Sequence, residues 1–130
     1  WRSRGLGDVY KRQLYTNVIL DLVKKIKVKS IANITGGGLT ENIPRSIPNN
    51  LSSEIYLDNW KMPLFFRTLQ KLGNVQTTDM LRIFNCGIGM TVVIESKDVS
   101  ATMKVLSKHK LKAYMIGKVI NKSSTRINFL

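Results

Sequence analysis

ITGGGLTENIPR, residues 34–45, decides how the chain is read, because three consecutive glycines stand there between an apolar segment and a helix-start signal. Ser30-Ile31-Ala32-Asn33-Ile34 has the length and apolar content of a short buried strand, and Leu39 to Ile43 follows as one or two helical turns. Thr35, Gly36, Gly37 and Gly38 make a connector almost without side chains, able to reach φ > 0 and to let a ligand approach closely. A helix start behind such a loop offers unpaired N–H groups and the positive end of the helix dipole, which favour a phosphate or another anion. A plain tight turn is the competing explanation, since the spacing is neither GxGxxG nor GxxxxGK[ST]. A plain turn usually needs one glycine, however, and three in a row cost conformational entropy on folding.

Working outward, Tyr15, Val18, Ile19, Leu22, Val23 and Ile26 recur at helical spacing and predict an amphipathic helix ahead of the strand. Behind the loop, Pro44, Pro48 and Asn49-Asn50 mark a turn, and Glu54 to Leu57 reads as a strand. Pro63 opens a helix with Leu64, Phe65, Leu69 and Leu72 inward and Gly73 as its stop, and Thr77-Thr78-Asp79 opens another through Met80, Leu81 and Phe84. Ile88 to Ile94 is the strongest strand signal, followed by Ser96 as N-cap of a helix through Val99, Met103 and Leu106. Residues 112–120 and 125–129 read as two strands of a hairpin. Strands and helices alternate without strict βαβ spacing, which predicts an α+β sandwich with a mixed or antiparallel sheet.

A second glycine motif, Phe84-Asn85-Cys86-Gly87-Ile88-Gly89-Met90, leads into that strong strand. Gly87 and Gly89 at a strand entry suit a bulge or a close approach by a ligand or another backbone, and Asn85 offers a compact donor and acceptor beside them. Cys86 is the one cysteine, so the chain has no internal disulfide and no Cys-based zinc site. A small packed thiol is the expectation for it, and a charge-complementing surface role at a helix end for His109. No set of metal ligands emerges.

At 130 residues with 43% hydrophobic and 22% charged residues, the composition fits one globular domain. No apolar run approaches the roughly 20 residues of a membrane span, which predicts a soluble protein of a reducing compartment. The net charge of +13 suggests nucleic acid when taken alone, with Lys24, Lys25, Lys27 and Lys29 as a local cluster. Those lysines follow the polar side of a helix and its exit, and aromatic residues do not interleave with them as a base-stacking platform requires, so the pattern argues against nucleic acid.

Residues 1–13, WRSRGLGDVYKRQ, show no apolar period and no apolar core of a signal peptide. They read as a non-native extension, leaving residues 14–130 as the domain. They carry four basic residues and one acid, so excluding them takes the net charge from +13 to +10. The basicity is mostly intrinsic to the domain.

From about Leu14 onward, ITGGGLTENIPR, the Trp-x-x-Pro element at Trp60 to Pro63, the pair Gly73-Asn74, FNCGIGM and the Tyr-x-Ile-Gly at Tyr114 to Gly117 resemble, in order, the C-terminal domain of the phosphoribosylformylglycinamidine cyclo-ligase (aminoimidazole ribonucleotide synthetase) family. The resemblance implies a three-layer α/β/α sandwich with a mixed sheet, partly like a ferredoxin fold. It also implies an ATP- and Mg²⁺-dependent ring closure of formylglycinamidine ribonucleotide in a cytoplasmic, homodimeric parent. An N-terminal domain of that parent would supply most of the ATP and metal site. Carried onto this sequence, the substrate- and phosphate-binding positions are Thr35, Gly36, Gly37, Gly38, Asn42, Arg45, Asn85, Gly87 and Gly89. One departure stands out: the family usually has His before the Ile-Thr-Gly-Gly-Gly run, and Asn33 there cannot shuttle a proton near neutral pH. A stand-alone basic module for RNA or anionic metabolites is the alternative from another functional class.

Overall fold

The computed structural model describes the backbone from Leu6 and side chains from Tyr15, both to Leu130. Two compact units are present, residues 1–29 with 94–113 and residues 30–93 with 114–130.

The first unit consists of helices α1 (Leu6–Lys25) and α5 (Val99–Lys108), the latter preceded by a 3-10 turn at Ser96–Asp98. Helix α1 begins inside the stretch that sequence set apart as aperiodic; Leu, Lys, Arg and Gln are good helix formers, and a helix once nucleated propagates through them. Residues 1–5 of that stretch lie outside the described residues. Val18, Leu22 and Ile26 are buried as expected, whereas Tyr15 and Val23 are exposed. α5 runs through Val99, Met103 and Leu106 as predicted, and its buried positions are Thr102 and Val105. Asp98 rather than Ser96 precedes α5, because the 3-10 turn intervenes. The Asp21 carboxylate joins the two helices, accepting from His109 Nε2 at 2.8 Å and from Lys25 Nζ at 3.0 Å. These partners draw the Asp21 carboxyl from 3.8 down to about 2, the His109 hydrogen bond first and Lys25 after it.

The second unit is α+β and holds two small sheets in place of a single mixed one. β1 (Ser30–Asn33) pairs antiparallel with β3 (Met90–Val93), from Ser30 opposite Val93 to Asn33 opposite Met90. β2 (Leu51–Ile55) is central to the other sheet, antiparallel to β4 (Gly117–Asn121) and parallel to β5 (Ile127–Phe129). β4 and β5 therefore do not form the predicted hairpin. β2 lies between them, and the buried serines explain why it fits. Ser52 Oγ donates to Thr125 O at 2.8 Å and accepts from Ser123 N–H at 3.0 Å, so the connection between β4 and β5 satisfies a hydroxyl of the strand it straddles.

α2 (Gly38–Ser46), α3 (Leu64–Gly73) and α4 (Thr77–Ile83) complete the unit. Ala32, Ile34, Leu39, Ile43, Ile55, Trp60, Met80, Leu81, Cys86 and Ile88 form its buried core. Pro44, read as a turn residue, lies inside α2, and the turn comes later, closed by Leu51 N–H on Pro48 O. Arg126 fastens that end of α2 through bonds to Pro44 O, Ile47 O and Asn49 Oδ1. In α3 the predicted inward positions Leu64, Phe65 and Leu72 are exposed, while Phe66 packs on Phe84 with ring centroids 5.8 Å apart. Gly73 is the last helical residue, and the left-handed conformation that ends the helix falls on Asn74.

Candidate functional site

Antiparallel pairing of β1 with β3 brings the two glycine motifs to one end of the same two-stranded sheet. Residues 35–38 leave β1 where residues 84–89 enter β3, and Ile34 N–H donates to Gly89 O at 3.0 Å across the junction. More than forty residues of sequence lie between residues 38 and 84, so the strands, not local spacing, assemble the site.

The three consecutive glycines have different jobs. Gly38 is left-handed at φ +57 and buried, and a Cβ there would meet the backbone oxygen of Phe84 at 2.6 Å and that of Leu81 closer still. Its lack of a side chain lets the start of α2 abut the end of α4. Gly37, at φ +94, lies under the Glu41 side chain, whose Cβ and Cδ would be 2.8 Å from an added Cβ. Gly36 has open space around it and no positive φ. Of the three, only Gly36 has no packing reason to be glycine, and it is solvent-exposed.

Asn42 fastens this loop: its Nδ2 donates to the carbonyls of Gly38, Gly36 and Thr35 at 2.8, 3.2 and 3.3 Å. Gly38 N–H closes a turn on Thr35 O at 3.0 Å, and among the described residues no carbonyl takes the N–H groups of Gly36, Gly37, Leu39 or Thr40. Four free donors at the positive end of a nine-residue helix are suited to an anion. The Glu41 carboxylate beside Gly37 accepts from Arg45 at 3.0 Å, so Arg45 is engaged within its own helix. Sequence reasoning passed over Glu41, although its spacing of four from Arg45 is a recognised helix pair.

In the second loop, Asn85 Oδ1 accepts from Gly87 N–H at 2.9 Å, a local turn that holds Cys86 at φ 52 and Gly87 at φ 96. A Cβ at Gly87 would be 2.7 Å from Pro63 Cγ, so this glycine makes room for the residue just ahead of α3. Cys86 is fully buried, and burial pushes its thiol up to about 11, which agrees with a packed thiol and not with a nucleophile. Trp60 Nε1 donates to Cys86 O at 3.1 Å and anchors the loop from beneath. Asn33 is exposed at the end of β1.

Of the candidate residues, Thr35, Gly36, Gly37, Gly38, Asn42, Asn85, Gly87 and Gly89 thus share one end of the sheet, with Asn42, Asn85, Gly38 and Gly87 committed to the backbone scaffold. Arg45 lies one turn further along α2. Among the described residues, no His, Cys, Asp and Glu side chains gather as a metal-ligand set, and no helix is long and apolar enough to cross a membrane.

Comparison with known proteins agrees with this architecture. Phosphoribosylformylglycinamidine cyclo-ligases of Staphylococcus aureus strains Newman and USA300 are 41% identical to this chain, and that of strain JH9 is 40% identical, over 98% of its length. The chain spans 38% of the length of these relatives. The family described as AIR synthase related protein, C-terminal domain, matches residues 2–129, a range that takes in most of the stretch read as an extension. Neither comparison lends support to a stand-alone binding module. With its two glycine loops on one sheet end and this match across nearly its whole length, the chain belongs to the AIR synthase-related C-terminal domain family.

Proposed function

We propose that this chain is the C-terminal part of an ATP-dependent cyclo-ligase that converts formylglycinamidine ribonucleotide to aminoimidazole ribonucleotide, and that its glycine loops hold the phosphate-bearing partner. The observation that carries the reading is the row of free N–H groups at Gly36, Gly37, Leu39 and Thr40, set beside the second glycine loop. In the proposed reaction the substrate's amide oxygen attacks the γ-phosphorus of ATP and ADP leaves. The amidine nitrogen then attacks the activated carbon, phosphate departs with its bonding pair, and the ring nitrogen loses a proton. Backbone amides fixed before the reaction stabilise charge developing on phosphoryl oxygens without reorganising, so the loop's part is to position and to neutralise. Asn42 fixes the loop by holding its carbonyls, and in the second loop Asn85 Oδ1 fixes the turn by accepting from Gly87 N–H.

The residues present do not fit Mg²⁺, because the described side chains offer no ligand cluster. In this reading the metal and most of the ATP site belong to a domain outside these 130 residues, in a cytoplasmic homodimer, and the 130 residues alone do not turn over. The test is recovery of the full-length gene and a coupled ADP-release assay with formylglycinamidine ribonucleotide. Gly36→Val is the informative variant, since the side chain enters open space. Loss of a positioned anion contact is worth on the order of 2–4 kcal/mol in the transition state, roughly a hundredfold in rate. Parental turnover and affinity in a stably folded Gly36→Val enzyme would reduce the loop to a turn.

A further inference from the structure

Helix α3 carries an apolar face that its own unit leaves uncovered. Leu64 is 68% exposed, Phe65 69% and Leu72 84%, and with Thr68 and Leu69 they line a shallow groove of about 380 Å³ along one side of the helix. Single exposed apolar residues are ordinary, but a contiguous stripe at helical spacing is what a helix offers to a neighbour. The placement of α3 ties this face to the candidate site. Pro63, immediately ahead of the helix, packs against Gly87, and Phe66 on the covered side packs on Phe84 at the base of the same loop. The uncovered stripe thus runs outward from the rim of the glycine loops, where Thr35 and Gly36 are also exposed.

We infer that the α3 face seats another part of a longer polypeptide, the part matching the portion of the relatives that has no counterpart in these 130 residues; this rests on the reading given above. The relatives supply the length: only 38% of each is represented here. A second copy of the chain fits less well. The ten residues of α3 make a helix about 15 Å long. Pairing that helix with its own copy buries well under the roughly 1,200 Å² of a stable interface between separate chains. A segment tethered in the same polypeptide needs less area, because its effective concentration reaches the millimolar range. Covering this rim also excludes water from the exposed glycine loops, as an activated phosphoryl intermediate requires.

The test compares hydrogen exchange of residues 64–73 in the full-length protein and in the 130-residue chain, each at several concentrations, with ADP release measured alongside. The inference expects exchange about tenfold slower or more in the full-length protein, independent of concentration, because opening a covered helix is harder. Leu72→Arg should abolish that protection while leaving the melting temperature of the 130-residue chain unchanged, since Leu72 is free there. Equal exchange in the two forms overturns the inference. Protection that grows with concentration in the 130-residue chain also overturns it and assigns the face to a second copy. An active full-length enzyme with unprotected α3 refutes the docking surface alone, whereas a protected α3 without ADP release refutes the functional reading alone.

Discussion

Replacing the three consecutive glycines one at a time by alanine should give three different outcomes, in an order that the geometry dictates. At Gly38 the left-handed backbone, φ +57, costs an L-residue about 1–2 kcal/mol. The new methyl also meets the carbonyl oxygens of Leu81 and Phe84, which belong to packed backbone and have nowhere to go, adding an overpacking cost of about 1–3 kcal/mol. Gly38→Ala should therefore lose about 2–5 kcal/mol, or roughly 10 °C in Tm for a chain of this size. At Gly37 the backbone strain is similar, but the obstacle is the flexible Glu41 side chain, so about 1–2 kcal/mol is expected. Gly36→Ala meets nothing and has no positive φ. It should be neutral or stabilising by about 0.4–1 kcal/mol through the unfolded chain's lost freedom. Urea denaturation followed by the fluorescence of Trp60, which sits in the same core, measures the series. Equal stability for all three variants, or Gly38→Ala within 0.5 kcal/mol of the parent, which is no more than ordinary surface scatter, would refute the assignment.

Three further outcomes follow from the contacts described. Asp21 titrates near 2 in the folded chain and near 3.8 when free, so its contribution to stability is present above pH 3.8 and is lost as pH falls through about 2. Asp21→Asn should flatten the acid limb of the stability curve in that window, and parallel curves for parent and variant would contradict the linkage. Trp60→Phe leaves the buried Cys86 carbonyl without its indole donor and should cost about 1–3 kcal/mol in chemical denaturation; parental stability would mean the bond is dispensable. Deleting residues 1–13 removes the first two turns of α1 but none of Val18, Leu22 and Ile26, the buried side chains described near it, and should leave Tm within about a degree or two; a larger drop would show that the unit depends on the start of that helix.

Local chemistry was the legible part of the sequence. The strand at 30–33, the glycine loop, the helix after Pro63 and the strong strand before Ile94 are written in short-range patterns of apolar spacing and punctuation, and they fold close to where those patterns put them. What an apolar face meets is not written locally. Leu64, Phe65 and Leu72 have the spacing of a core-facing stripe, which looks the same whether the stripe turns into its own unit or away from it. Partner choice among strands is equally non-local: two strands joined by a short connection read as a hairpin, yet β2, some sixty residues earlier, separates them. The site followed the same division. Its glycines were visible at once, while the exact duty of each needed the positions of Leu81, Phe84, Glu41 and Pro63.

The placement of β2 also sets a timetable for synthesis. Residues 51–55 leave the ribosome long before either partner strand exists, and Ser52 and Ser53, buried in the finished sheet, take the carbonyls of Thr125 and Arg126 as acceptors for their hydroxyls. Until residues 117–129 emerge, β2 has two open edges and two waiting hydroxyls, and every contact that closes this sheet spans more than sixty residues. Such late closure is slow and leaves strand edges open to other chains in the meantime. A ribosome paused before residue 117 would hold a nascent chain with its glycine loops already made and its central strand bare, the stage at which a chaperone has most to shield.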